Sequence, residues 1–112
     1  MLKLTHVIKF VADMDAAVKF HRDTLGLPLK FSSPGWSEFL TGETTLALHA
    51  ASERNPAGKV ELGFSVPDLK AFHAEATAKG VQFPMAPKQE QFGWLAQLQD
   101  NEGAACSVFG QG

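Results

Sequence analysis

The sequence predicts a mixed α+β domain in which one strand–helix–three-strand module occurs twice along the chain. The first observation is an internal repeat, because residues 10–17 correspond to residues 64–71. The second is that each copy contains a helical pattern with an aspartate before it and a glycine after it. The third is that predicted strands outnumber helices, and few connections are long enough for parallel crossovers. Since one supersecondary unit is used twice, functional residues are expected at matching positions of the two copies.

Local signals define the elements of the first module. Residues 4–11 contain partly alternating apolar side chains, which predicts a strand. Asp13 can cap the helix that follows, and Gly26 suits the left-handed residue that ends it. The predicted helical face consists of Met14, Ala17, Val18, His21 and Leu25. The three strands that complete the module are predicted over residues 27–31, 36–40 and 44–49.

A polar stretch that contains proline and glycine, residues 51–58, predicts a linker between a first module of residues 1–50 and a second of residues 59–112. Asp68 and Gly80 bound the second helix as Asp13 and Gly26 bound the first. The predicted elements of the second module are a strand over residues 60–66, a helix over 68–79, a short extended segment over 81–83, a polar loop with two prolines over 84–91, and a hairpin of strands over 93–99 and 104–109.

The composition indicates one globular domain of 112 residues, of which 45% are hydrophobic. No apolar run approaches the roughly 20 residues that span a bilayer, and the N-terminus is too polar for a signal peptide. The net charge is −2 and the lysines are scattered, so neither nucleic acid nor a membrane is expected as a partner. The single cysteine, Cys106, permits no intramolecular disulfide, which favours a cytoplasmic location.

Three stretches make the chain resemble the vicinal oxygen chelate superfamily, which includes glyoxalase I, bleomycin-resistance proteins, fosfomycin-resistance enzymes and extradiol dioxygenases. They are residues 10–14, residues 20–27 and the Asp-Asn-Glu-Gly sequence of residues 100–103. The family usually shows Phe-Tyr in the helix and Asp-Pro-Asp-Gly before the last strand, whereas this chain has Phe20-His21 and Asp-Asn-Glu-Gly. The resemblance covers nearly the whole chain. It implies a glyoxalase-like fold, in which the two modules form a cup-shaped, partly closed mixed sheet.

Metal-using members of that family carry one ligand on the first strand and one on the last strand of each module. The first-strand positions match His6 and Glu61, which each lie seven residues before a helix-capping aspartate. The last-strand positions match Ala47, which cannot ligate, and Ser107, a poor neutral ligand. His49 lies two residues after Ala47 and therefore on the same side of its strand. With His6 and Glu61 it would supply two imidazoles and one carboxylate, the composition of non-haem iron sites.

Aromatic residues predict a second kind of site. Trp36 and Trp94 are expected at equivalent positions, and together with nearby phenylalanines they would line a groove for a flat or hydrophobic ligand. The alternative is that both indoles seal the core or a subunit interface. Glu38 would face the same side as Trp36, either as an acid–base group or as a solvated carboxylate. The expected ligand-binding residues are Trp36, Phe39, His49, Phe92, Trp94 and Ser107.

Two classes of function remain open from the sequence. The first is a small-molecule-binding protein similar to bleomycin-resistance proteins, with an aromatic groove and an incomplete metal-ligand set. The second is a divalent-metal enzyme similar to glyoxalase I or a dioxygenase, in which His6, Glu61 and His49 would hold Zn, Ni, Mn or Fe. No catalytic triad, phosphate-binding loop or zinc-type cysteine pair identifies catalytic residues. The resemblance implies a homodimer, which would also cover exposed sheet edges.

Overall fold

A computed structural model describes residues 1–111, which form eight strands and two α-helices. The elements are β1 Lys3–Val11, α1 Met14–Lys19, β2 Leu29–Phe31, β3 Trp36–Phe39, β4 Thr45–Ala50, β5 Val60–Asp68, α2 Leu69–Ala78, β6 Gln82–Glu90, β7 Gly93–Gln99 and β8 Ala105–Gln111. The order strand, helix and three strands therefore occurs twice, which confirms the predicted α+β class and its repeated module. None of the helices in residues 1–111 has the length and hydropathy that crossing a membrane requires.

The chain divides into two compact units. The amino-terminal unit comprises Thr5–Glu61, and the carboxy-terminal unit comprises Met1–Leu4 together with the chain from Leu62 onwards. In the amino-terminal unit the strand order is β2-β3-β4-β1, with β1 parallel to β4 and the other neighbours antiparallel. In the carboxy-terminal unit the order is β5-β8-β7-β6, and β5 and β8 are the parallel pair.

Both helices begin at the aspartates that the sequence predicts as caps. The Asp13 carboxylate accepts a hydrogen bond of 3.0 Å from the backbone N–H of Ala16, and Asp68 accepts the equivalent bond of 3.0 Å from Ala71. Each bond satisfies a donor that the first helical turn leaves unpaired. Beyond the helices the backbone is left-handed at Gly26 and Gly80, as predicted.

The helix of the amino-terminal unit ends in a π-helical turn over Phe20–Thr24. The backbone N–H of Leu25 donates to the carbonyl of Phe20 at 3.1 Å, five residues earlier. His21 is buried here, and its Nδ1 donates to the carbonyl oxygen of Ala17 at 2.7 Å. In a π-helical turn the backbone hydrogen bonds span five residues instead of four, so a carbonyl such as that of Ala17 loses the N–H partner it would have in an α-helix. His21 is therefore a packing residue of the helix, as the sequence indicates.

The core of the amino-terminal unit forms between its helix and one face of its sheet. Its buried members are Val11, Val18, Phe39 and Leu48. In β3 the side chains of Ser37 and Phe39 are fully buried. Trp36 and Glu38 alternate with them along the strand and are only partly buried. The structure therefore places Phe39 in the core, on the face opposite Trp36, and not among ligand-facing side chains.

The core of the carboxy-terminal unit has the same construction. Val66, Leu69, Ala96 and Val108 are its buried centre, and α2 packs on this side of the sheet. Cys106 is buried in β8 opposite Leu98, one of the side chains packed against this core. It therefore faces the helix.

One predicted loop is wrong. Residues 84–91 were expected to form a polar loop because they contain Pro84 and Pro87, but most of them belong to the nine-residue strand β6. This strand is the outermost in the order β5-β8-β7-β6, and its register against β7 shifts twice, once around each proline. Prolines are tolerated in outer strands and at irregularities, because a ladder hydrogen bond is not required there.

Candidate functional site

Four polar and aromatic side chains share one face of the amino-terminal sheet. Trp36 pairs with His49 across β3 and β4, and Glu38 lies two residues further along β3. His6 lies on β1, two residues before Ile8, which pairs with the same β4 residue as Glu38. Alternate residues of a strand point to the same side, so His6, Trp36, Glu38 and His49 all face away from the core.

Glu38 is the polar centre of this face. Its Oε2 accepts a hydrogen bond of 2.8 Å from the Trp36 indole Nε1–H, and His6 Nε2 lies 4.0 Å from the same oxygen. The Nζ of Lys30 lies 3.7 Å from Oε1. The Glu38 side chain is only 13% exposed, whereas that of Lys30 is 55% exposed. The carboxylate is thus held in one orientation by the indole and is partly neutralised by a solvated lysine.

Aromatic rings extend from Glu38 across the sheet. The ring centroids of Trp36 and His49 are 5.8 Å apart and the rings meet edge to face at 85°. The His49 ring lies 5.0 Å from that of Phe10, and His6 lies 6.3 Å from Trp36. His49 Nδ1 donates to the carbonyl of Ala50 at 2.7 Å, so its neutral form presents Nε2 as an acceptor. The face therefore combines a rigid aromatic surface with one oriented carboxylate.

The surroundings of His6 favour its neutral form. Burial lowers the pKa of His6 below its ordinary value of 6.5 and Lys30 acts in the same direction, while the Glu38 carboxylate opposes them. Its Nδ1 shares a hydrogen bond of 2.9 Å with the hydroxyl of Thr5. A neutral imidazole beside a carboxylate can exchange a proton or hydrogen-bond a ligand.

The lowered pKa of His6 predicts a pH-dependent stability. As the pH falls, the unfolded chain binds a proton at this residue before the folded chain does, so the free energy of unfolding decreases as the pH falls through 6.5, and this loss is absent only well above that value. His6→Gln is expected to flatten this decrease between about pH 7 and pH 5, measured by urea denaturation. An NMR titration of the His6 ring should give a midpoint below 6.5, and a midpoint at or above that value would contradict the prediction.

The predicted metal ligands do not form one site in this structure. Within residues 1–111, no three or more His, Cys, Asp or Glu side chains are grouped so as to hold a metal ion. His49 pairs with Phe10, four residues beyond His6 on β1, so the Cα positions of the two histidines differ by about 13 Å along the strand direction. Imidazole nitrogens must approach a divalent cation to about 2.1 Å. Glu61 lies on β5, where it is buried. Among the described residues, His6, Glu61 and His49 are therefore not grouped as a set of three ligands.

Strand pairing identifies the matching positions of the two units. The last-strand residues Ala47 and Ser107 pair with Glu38 and Gln97 in the preceding strands. Ala47 also pairs with Ile8 of β1, and Ser107 pairs with Gly63 of β5. The side chain of Ser107 is buried. Gln97 is therefore the counterpart of Glu38, so the carboxylate occurs in only one of the two copies.

This pairing corrects the expected equivalence of the two tryptophans. Trp36 corresponds to Leu95, and Trp94 lies one residue earlier in its strand. A shift of one residue turns a side chain to the other face of a sheet. Trp94 accordingly packs against the core of the carboxy-terminal unit, with the Nζ of Lys70 4.6 Å from its ring centroid. Trp94 is therefore a partly buried residue that packs against the core, on the opposite face of its sheet from Leu95.

The remaining predicted aromatic contact, Phe92, lies between β6 and β7 and is 65% exposed. Its ring centroid is 6.1 Å from that of Phe109. Of the predicted ligand-binding residues, the structure thus brings together Trp36 and His49. It adds Glu38. The sequence indicates this residue only through its position two residues after Trp36, which places both side chains on the same side of the strand.

A cavity of about 730 Å³ lies elsewhere, within the carboxy-terminal unit. Its wall is formed by the end of α2 and the turn between β7 and β8, and it includes Phe72, Leu98 and Asp100. Its volume suits a small ligand, but its described lining contains none of the predicted site residues. The aromatic and carboxylate groups, rather than the volume, locate the candidate site on the Trp36 face, which is the side of the amino-terminal sheet that carries His6, Trp36, Glu38 and His49.

The chain belongs to the Glyoxalase/Bleomycin resistance protein/Dioxygenase superfamily, whose family model matches residues 3–106. This match confirms the resemblance that the sequence motifs indicate. No curated protein sequence matches the chain.

Solved structures share this fold. A hypothetical protein from Bacillus halodurans C-125 has a TM-score of 0.82 and 20% identity, over 99% of this chain and 95% of that one. The NAD-dependent benzaldehyde dehydrogenase from Legionella pneumophila has a TM-score of 0.78 and 22% identity, over 96% and 98%. A variant of Streptomyces coelicolor methylmalonyl-CoA epimerase in complex with 2-nitronate-propionyl-CoA has a TM-score of 0.76 and 21% identity, over 97% and 94%. At these identities the similarity establishes the fold alone.

Proposed function

We propose that this protein binds a small, flat organic molecule on the Trp36 face, as a member of the bleomycin-resistance type, without a metal ion. The observation that carries the proposal is the hydrogen bond from the Trp36 indole to Glu38, which fixes an aromatic surface beside a carboxylate. Ligand sites commonly combine apolar and aromatic walls with a few placed polar groups. The similar epimerase structure, which holds a CoA ester, supports small molecules as the class of ligand.

The aromatic surface supplies the affinity in this proposal. Trp36 and His49 meet edge to face, so the two rings are not stacked on each other. A ligand ring that stacks on the indole gains apolar burial and an aromatic pair interaction of about 0.5–1.5 kcal/mol. The alternative enzyme with a divalent cation has less support, because the residues expected as its ligands are not grouped in residues 1–111.

A homodimer and a cytoplasmic location belong to the same proposal. Leu2, Leu4 and Leu62 of the carboxy-terminal unit are exposed, and an interface with a second chain would remove them from water. The single free cysteine suits a reducing compartment.

The proposal is tested with 2-naphthol as a probe, a neutral two-ring molecule with one hydroxyl group. Isothermal titration calorimetry should detect its binding to the parent protein. Trp36→Leu introduces the residue found at the matching position of the other unit and should weaken binding by about tenfold or more.

Trp94→Phe is the matched control, because Trp94 packs against the core and lies on the other face of its sheet. It should leave the affinity within about twofold of the parent, since it removes no proposed ligand contact. Equal losses in Trp36→Leu and Trp94→Phe, or no binding by the parent, would refute the proposal.

A further inference from the structure

We infer that the ligand of the Trp36 face is an uncharged planar ring that carries an N–H or O–H donor at its edge. The inference rests on the proposed function and adds the chemical class of the ligand. It follows from the position of Glu38, its remaining capacity as an acceptor, and the charges beside it.

The geometry of Trp36 places Glu38 at the edge of a stacked ligand. The indole Nε1–H donates to Glu38 Oε2 at 2.8 Å, so the carboxylate lies next to the edge of the indole ring. A ring stacked on the indole at about 3.5–4.0 Å has its own edge beside the same carboxylate. A donor at that edge therefore reaches an oxygen of Glu38 without a change in the position of either side chain.

Glu38 has acceptor capacity for such a donor. A carboxylate offers about four acceptor positions, and the Trp36 N–H occupies one of them. His6 at 4.0 Å and Lys30 at 3.7 Å lie beyond ordinary hydrogen-bond distance. A ligand donor would form a charge-assisted hydrogen bond, which is about twice as strong as one between neutral groups.

The neighbouring charges favour an uncharged ligand over an ionic one. An anion would meet the Glu38 carboxylate, while the opposing lysine is largely solvated and therefore screened. A cation would compete with Lys30 for the same carboxylate and would lose its own hydration on entering. A neutral donor has neither cost.

The test compares four naphthalenes that share one ring system and differ at position 2: 2-naphthol, 2-methoxynaphthalene, 2-naphthoate and (2-naphthylmethyl)ammonium. Calorimetric titration of the parent protein should show 2-naphthol binding about tenfold or more tightly than each of the other three. Tighter or equal binding of the methoxy compound or of either ion would overturn the inference. Binding by none of the four would refute the proposed function itself, which is a different result.

Two variants of Glu38 connect the preference to this side chain. Glu38→Met removes the acceptor and should reduce the preference for 2-naphthol over 2-methoxynaphthalene to less than about threefold, with the methoxy compound still bound. Glu38→Gln keeps a neutral acceptor and should give an intermediate preference. A full preference in Glu38→Met overturns the inference. If Glu38→Met does not fold, Glu38→Gln decides, and an unchanged preference in it overturns the inference as well.

Discussion

Gly110→Ala is expected to lower the free energy of unfolding by about 3 kcal/mol or more. A Cβ atom at this position collides with the backbone carbonyl oxygen of Val66, and it lies 3.3 Å from both the Leu69 Cβ and the Val66 Cγ2. Val66 pairs with Gly110 in the parallel ladder of β5 and β8, so relief of the collision requires the two strands to separate. Because the obstacle is backbone, no change of side-chain rotamer removes it. Urea denaturation at pH 7 measures the loss.

Gly35→Ala is the matched control for this prediction. A Cβ atom at Gly35 meets no atom within 4 Å, and its backbone is not left-handed. The substitution should change the free energy of unfolding by less than about 0.5 kcal/mol. If the free energy of unfolding of Gly110→Ala is within about 1 kcal/mol of that of the parent, then β5 and β8 separate at a lower cost than their contacts indicate, and the prediction is wrong.

Phe39→Ala is expected to cost about 3–5 kcal/mol of stability, because it empties a fully buried aromatic site between the sheet and the helix. Ring contacts are lost as well, since His21 lies 5.6 Å from the Phe39 ring centroid. Thermal and urea denaturation measure the effect.

The milder variant Phe39→Leu separates the core role of this residue from a role in ligand binding. It should lower stability while leaving the affinity for 2-naphthol within about twofold of the parent, since the site lies on the opposite face of β3. A loss of affinity as large as that in Trp36→Leu would mean that Phe39 contacts the ligand after all.

The features that were predicted correctly depend on residues close together in the chain. The caps at Asp13 and Asp68 and the glycines that follow each helix act within one or two turns, so sequence alone places them. The order of strands and helices follows from these signals and from hydrophobic periodicity.

The features that were missed depend on strand pairing. Pro84 and Pro87 argue against a strand, and only the outer position of β6 makes them acceptable. Trp94 resembles a counterpart of Trp36 until the register with β8 shows that it lies one residue away and on the other face. The importance of Glu38 depends on His6, which is remote in sequence and is brought near by the pairing of β1 and β3 with β4.

The π-helical turn over Phe20–Thr24 explains why the two copies differ slightly in length. Gly26 follows Asp13 by thirteen positions, whereas Gly80 follows Asp68 by twelve. A π-helical turn holds one more residue than an α-helical turn, so the additional residue is accommodated inside the helix. The strands after it keep their alternation, and an alignment that matches Asp13 with Asp68 must change its offset by one at this turn. A single-residue length difference is thus absorbed by a local change in helical pitch, and the carbonyl of Ala17 is paired by the imidazole of His21.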